Sequence, residues 1–81
     1  MARHRNQAFL TGRPFSPKQL RIFRLESGFT QRDLARMAGV SAATVTRWEG
    51  GEIEPTPYYV RLLSRLLACD VDDLRGPADG N

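Results

Sequence analysis

Residues 30–51 constrain the fold of this chain most, because two helix starts and one helix stop follow one another there at short spacing. Thr30 and Asp33 form a capping box, in which each side chain accepts a hydrogen bond from the other residue's backbone N–H, so a helix is predicted to begin immediately after Thr30. Gly39 is predicted to end that helix, because glycine readily adopts the left-handed backbone of a helix C-terminus. Ser41 is predicted to cap a second helix.

The side chains between these signals predict two short helices that cross closely at a steep angle. The predicted buried residues are Leu34, Ala35, Ala38, Val45 and Trp48. Ala35 is small enough for the nearest approach of the two helices, and the glycine follows it four positions later. These features are typical of a helix-turn-helix. An ordinary helical hairpin is the alternative, but the capping box, the small residue, the turn glycine and the second cap agree in register.

Length and composition predict one small domain of 81 residues, 41% of them hydrophobic. A single cysteine, Cys69, excludes an internal disulfide framework and is expected to be a buried thiol, with a redox role as the alternative. His4 has no other metal-ligand candidates near it, so no metal or cofactor is expected. No apolar run reaches membrane length and no signal-peptide core follows the N-terminus, so a cytoplasmic protein is expected.

The net charge of +3 conceals an uneven distribution along the chain. Residues 1–47 contain nine Lys/Arg and two acidic residues, a net charge of +7, whereas residues 48–81 contain three arginines and seven acidic residues, a net charge of −4. This division favours one face turned toward a polyanion such as nucleic acid. A merely solvated surface is the alternative.

The rest of the chain is predicted to add an arm, three further helices and a short tail. Residues 1–15 form a basic arm whose apolar residues suggest partial docking on the body, and 77–81 form a frayed tail. The predicted helices of the domain at 16–76 lie near 16–27, 31–38, 42–50, 57–68 and 71–75. Ser16 and Thr56 are predicted caps, each followed by a proline at the first helical position. Ile53 is expected to lie under Trp48.

Several residues together make the chain similar to the phage-repressor/Cro (XRE-like) helix-turn-helix family of bacterial and phage regulators. They are Thr30, Gln31, Leu34, Ala35, Gly39, Val40, Ser41, Thr44, Val45, Arg47, Trp48, Glu49 and Gly51. The resemblance covers residues 16–75. It implies an all-α, five-helix lambda-repressor-like DNA-binding domain, here preceded by an N-terminal arm, that binds operator DNA and usually does so as a dimer.

The same resemblance implies roles for individual residues. The base-reading positions of the third helix are Ala42, Ala43, Thr46 and Arg47. The implied phosphate contacts are Gln31, Arg24, Arg36 and Thr44. Arg24 and Glu49 match a family pair that joins the first helix to the third, with a solvent-facing Glu49 as the alternative. The basic tip of the arm, Arg3 and Arg5, is a further candidate for DNA contact; a disordered solubilising tail is the alternative.

Side-chain chemistry indicates how these positions can read DNA. The guanidinium fork of Arg47 can bond O6 and N7 of a guanine, although a phosphate contact is the alternative. Thr46 can touch a thymine methyl group or accept a hydrogen bond from a base. Ala42 and Ala43 offer only methyl contact and close approach. Direct readout is therefore expected to depend on few bases.

A single recognition helix reads about half of a symmetric site, so a homodimer is expected at least on DNA. The apolar residues available for dimer contact, or for docking of the arm, are Ile22, Leu25, Tyr59, Leu62 and Leu66. If the arm covers them, the protein is instead a monomer in solution.

The function expected from the sequence is that of a sequence-specific, double-stranded DNA-binding transcriptional regulator. We expect a small repressor that reads an inverted repeat through helix 3 in the major groove. A protein-interaction module such as an antitoxin or docking subunit is the alternative, and a restriction-modification controller is a further possibility within the DNA-binding class. An enzyme is not expected, because one His, one Cys and no paired-carboxylate or phosphate-loop arrangement are present.

Overall fold

The computed structural model describes residues 14–76, and this part of the chain is all-α, as predicted. Its elements are α1 Pro17–Glu26, α2 Gln31–Ala38, α3 Ala42–Glu49, α4 Pro57–Leu66 and a 3-10 helix at Val71–Leu74. The fifth helix of the sequence-based prediction is thus a single 3-10 turn. Within the described range, none of the helices is long and apolar enough to cross a membrane.

Each α-helix begins at the serine or threonine that the sequence predicts as its cap. The capping side chains belong to Ser16, Thr30, Ser41 and Thr56. The capping box is complete: Thr30 Oγ1 accepts from the Asp33 N–H, and Asp33 Oδ2 accepts from the Thr30 N–H, both at 2.9 Å. Because these side chains satisfy backbone donors that the helix cannot, they fix where each helix starts.

The turn between α2 and α3 depends on Gly39. Its φ of +74° is left-handed, and the N–H of the following Val40 donates to the Ala35 carbonyl at 3.0 Å, which closes the end of α2. Ser41, two residues after Gly39, then caps α3. The residue that the sequence assigns to the turn therefore has the backbone conformation that makes glycine favourable there.

The end of α4 differs from the prediction. The sequence-based helix runs to residue 68, whereas α4 ends at Leu66. Ala68 adopts a left-handed φ of +54°, and the Cys69 N–H returns to the Ser64 carbonyl at 2.9 Å. This is a helix-ending conformation in which alanine stands where glycine is usual, so the sequence carried no stop signal.

One hydrophobic core joins all the elements. Its fully buried residues are Leu20, Leu34, Leu63, Leu74 and Val45. α2 packs against both α3 and α4, α1 packs against α3 and the 3-10 helix, and the 3-10 helix also packs against α4. Trp48 is 3% exposed and its ring lies 5.5 Å from that of Tyr59, centroid to centroid. The inner face of α3 is thereby fixed against the body.

The two ends of the described chain meet beside the 3-10 helix. Phe15 is buried in the core and forms an antiparallel β-bridge with Arg75. Two backbone hydrogen bonds support it, from Ser16 N to Leu74 O at 2.7 Å and from Gly76 N to Pro14 O at 2.8 Å. The last residue of the predicted arm therefore belongs to the folded body. Residues 1–13 and 77–81, including Arg3 and Arg5, lie outside the described residues.

Gly39 and Ala68 allow a matched test, because both residues have a left-handed backbone. Gly39→Ala is expected to lower the free energy of unfolding by about 1 kcal/mol, since an L side chain is strained at that φ, although no atom lies within 4 Å of the added Cβ. Ala68→Gly is expected to raise it by up to about 1 kcal/mol for the same reason. Urea unfolding monitored by Trp48 fluorescence measures both. Changes of the same sign in the two variants would contradict this account.

Candidate nucleic-acid interface

The outward face of α3 carries exposed side chains that the core does not use. Ala43, Thr46 and Arg47 are exposed, and among residues 14–76 no hydrogen bond or ion pair engages the Arg47 side chain. Ala42 is different: it is half-buried and packs against the core. The sequence-based grouping of Ala42 with the outward residues is therefore only partly right. The free cationic fork of Arg47 is the strongest polar feature of this face.

A buried ion pair attaches α3 to α1. Arg24 Nε lies 2.6 Å from Glu49 Oε2, and Arg24 Nη2 lies 3.1 Å from Glu49 Oε1, so the contact is bidentate. The two side chains are 8% and 4% exposed. The third contact of the guanidinium runs from Nη1 to the Phe29 carbonyl at 2.7 Å. The pair implied by the family resemblance is thus present, and Glu49 does not face solvent.

Burial of Arg24 changes the role expected of it. Its residue exposure is 7%, and its guanidinium is directed to Glu49 and to the backbone of Phe29. A phosphate would have to displace these internal partners. The structure therefore favours Arg24 as a residue that fixes α3 on α1, and not as a direct phosphate contact.

Gln31 connects the start of α2 to the middle of α3. Its Nε2 donates to Glu49 Oε1 at 3.0 Å, and its Oε1 accepts from Thr46 Oγ1 at 2.7 Å. The side chain is half-buried. One amide proton of Gln31 and the N–H groups of Gln31 and Arg32 remain to face an anion, because the next N–H of the first turn, that of Asp33, already donates to Thr30. Gln31 thus joins the proposed phosphate site to the proposed base-reading face.

The remaining predicted phosphate contacts have different surroundings. The Arg36 side chain is 69% exposed and lies 3.5 Å from Asp33 Oδ1, an arrangement that leaves most of the guanidinium in solvent. Hydrogen bonds from Thr30, helped by Arg36, lower the pKa of Asp33 below its ordinary value, so the capping box is charged at neutral pH. Thr44 is half-buried, and its hydroxyl lies 3.0 Å from that of Ser41. Arg36 is the more accessible of the two.

The apolar residues offered for dimer contact are not equally available. Leu25 is 56% exposed, whereas Tyr59 and Leu66 are half-buried against the core. Ile22 and Leu62 are also half-buried. One neighbouring expectation is wrong: Ile53 does not lie under Trp48 but is 45% exposed, and Tyr59 contacts the tryptophan ring instead.

Cys69 is half-buried near the end of α4, and not fully buried as expected. Burial, with the nearby Asp73 and Asp70 carboxylates, raises the pKa of its thiol, so the thiol is protonated at neutral pH. Because the thiolate is the reactive form, this environment does not favour the alternative of a redox role. The described residues also contain no group of His, Cys, Asp and Glu that could hold a metal ion.

The sequence alone did not reveal that Gln31 contacts Glu49 and Thr46. These residues lie 18 and 15 positions from Gln31. No local pattern records such a contact, since it depends on how α2 crosses α3. A glutamine at the first position of α2 together with a glutamate at the last position of α3 was the available signal.

Two short helices joined by a tight turn, with the second helix exposed along one side, define a helix-turn-helix protein. A helix-turn-helix family model matches residues 20–74, and the chain belongs to this family. Membership agrees with the expectation that the chain is not an enzyme.

The chain is similar to one curated regulator and to two solved structures of a repressor. The chain is 36% identical over 52 residues to the HTH-type transcriptional regulator DicA of Escherichia coli strain K12; the match covers 64% of this chain and 38% of DicA. It resembles the crystal structure of the P22 c2 repressor in complex with a synthetic operator, with a TM-score of 0.69 and 31% identity over 80% of this chain and 94% of that one. The solution structure of the P22 c2 repressor DNA-binding domain gives the same TM-score, with 27% identity over 84% and 97% of the two chains.

The Arg24–Glu49 pair is predicted to be critical for stability. Glu49→Ala should lower the free energy of unfolding by about 3–5 kcal/mol, because it leaves the buried guanidinium without a counter-charge. The double variant Arg24→Met, Glu49→Met should be more stable than Glu49→Ala, because neither charge then remains unpaired. Glu26→Ala, which removes an exposed acid of α1, is the control and should change stability by less than about 0.5 kcal/mol. Urea unfolding measures the stability of each variant. If Glu49→Ala loses no more stability than Glu26→Ala, the pair has no structural role.

Proposed function

We propose that the chain is a sequence-specific, double-stranded DNA-binding transcriptional regulator. In this proposal α3 lies in the major groove, and the protein is a small repressor that reads an inverted repeat. The single observation that carries the proposal is the outward face of α3. Its Arg47 side chain has no hydrogen-bond or ion-pair partner among residues 14–76, and Glu49 holds the helix to α1 and α2 from behind. A DNA partner also makes the cytoplasm the expected location.

Several features support binding to DNA in particular. The solved relative with 31% identity is a repressor in complex with an operator, and it matches most of the described domain. The residues of α1 to α3 include the exposed cations Lys18, Arg21, Arg32, Arg36 and Arg47. Positive charge on these three helices attracts the phosphate backbone, while an exposed helix of this size fits the major groove.

Contacts divide into two kinds in this proposal. Arg47, Thr46 and Ala43 face the bases, with Ala42 close to the DNA but partly committed to the core. Gln31, Arg36 and Thr44 face phosphates and set the register of the protein without choosing sequence. The basic arm residues Arg3 and Arg5 remain candidates for further contact with DNA.

We further propose a homodimer on DNA. Two recognition helices related by a twofold axis reach half-sites about 34 Å apart, one turn of the double helix. Leu25 is the most exposed of the apolar candidates for the contact between subunits.

Selection of random duplexes by the purified protein tests the proposed function directly. The expected result is an enriched inverted repeat whose half-sites are spaced by one helical turn. Recovery of no preferred sequence would contradict the proposal and transfer support to a protein-interaction module, such as an antitoxin or docking subunit.

Arg47→Ala is predicted to relax the preference for one guanine in each half-site by about 1–3 kcal/mol, because the bidentate contact to O6 and N7 is lost. Arg47→Lys is the matched variant: it keeps the charge but lacks the rigid fork, so it should also lose discrimination. Titrations against operators with single-base changes measure the effect. An equal loss on all operators would assign Arg47 to the phosphate backbone.

Arg36→Ala is predicted to weaken binding equally on all sequences and to reduce the salt dependence of the logarithm of the affinity by about one unit, because one phosphate contact is lost. Arg65→Ala, which removes an exposed arginine of α4, is the control and should leave the slope unchanged. Affinities measured across a series of salt concentrations give the slope for Arg36→Ala and for Arg65→Ala. An unchanged slope in Arg36→Ala would exclude a phosphate contact.

A further inference from the structure

The hydrogen bonds behind α3 have a fixed direction. The guanidinium of Arg24 can only donate hydrogen bonds, and the carboxylate of Glu49 can only accept them. Glu49 must therefore accept a hydrogen bond from the amide nitrogen of Gln31, at 3.0 Å. The amide oxygen of Gln31 then faces Thr46 and must accept a hydrogen bond from the Thr46 hydroxyl, at 2.7 Å. The orientation of each group follows from the charge of the buried pair.

This chain of bonds limits what Thr46 can offer a base. A hydroxyl has one proton, and both of its near neighbours are carbonyl oxygens: Gln31 Oε1 at 2.7 Å and the backbone oxygen of Ala42 at 3.1 Å. Thr46 therefore has no free donor for guanine O6 or N7, adenine N7 or thymine O4. The donor is thus committed inside the protein, while the lone pairs of the hydroxyl oxygen are not used by these two contacts. The γ-methyl group is the apolar surface that this exposed residue presents beside that oxygen.

We propose that Thr46 reads the C5-methyl group of a pyrimidine, so that each half-site carries thymine or 5-methylcytosine facing Thr46. Gln31 is the positioning residue, because its amide oxygen accepts the hydrogen bond of the Thr46 hydroxyl and so removes that donor from the DNA. Binding then responds to methylation of a cytosine at that position. The inference rests on the proposed function, in which the outward face of α3 contacts base edges.

Base analogues in the selected operator test the inference. Each thymine is replaced in turn by deoxyuridine, which removes the C5-methyl group and keeps every hydrogen-bonding atom. At one position per half-site the affinity should fall about fourfold, the effect of one buried methyl group. At the same position, 5-methylcytosine should bind more tightly than cytosine by a similar factor.

Three variants assign the effect to Thr46. Thr46→Val keeps a methyl group and removes the hydroxyl, so the deoxyuridine penalty should remain. Thr46→Ser keeps the hydroxyl and removes the methyl group, so the penalty should disappear. Thr56→Ser removes a methyl group from the exposed cap of α4, a residue with no proposed contact to DNA, and should leave the penalty unchanged.

Specific binding that is indifferent to deoxyuridine at every thymine, or a selected half-site without thymine, would overturn the inference while leaving the proposed function intact. Loss of binding in Thr46→Val with retention in Thr46→Ser would also overturn it, because the hydroxyl would then contact the base. Failure to enrich any sequence would instead contradict the proposed function.

Discussion

The carboxylate of Glu49 is the point on which the arrangement of the three N-terminal helices depends. It accepts two hydrogen bonds from Arg24 of α1 and one from Gln31 of α2, while its own backbone forms the last residue of α3. A buried charge is unfavourable unless it is paired and hydrogen-bonded, and here both conditions are met. One side chain thus fixes the relative positions of all three helices from the inside.

This arrangement connects packing to the proposed chemistry. The buried side of α3, with Val45 and Trp48, fixes the helix against the core, and the polar chain through Gln31 orients Thr46 on the other side. Arg47 follows directly and has no partner within the described residues. The proposed readout therefore combines one guanidinium with one threonine whose hydroxyl proton is internally satisfied. Gln31 connects the buried pair to the proposed base-reading face.

Local chemistry predicted where the helices begin, because Ser16, Thr30, Ser41 and Thr56 act on backbone groups within three residues of themselves. Helix ends were predictable where glycine supplies the left-handed residue, as at Gly39, and not at Ala68, where alanine takes that conformation. The family resemblance supplied the Arg24–Glu49 pair. The contacts of Gln31 with Glu49 and Thr46, the partial burial of Ala42 and the exposure of Ile53 depend on how helices cross, and no spacing in the sequence records this.

Dimethyl sulfate footprinting of the bound operator is the sharpest test of a recognition role for α3, because this reagent methylates N7 of guanine in the major groove and N3 of adenine in the minor groove. We expect protection of guanine N7 in two patches one helical turn apart, with protection of one guanine per half-site lost in Arg47→Ala. Protection confined to adenine N3, or guanine protection that is unchanged in Arg47→Ala, would contradict a recognition role for the exposed face of α3.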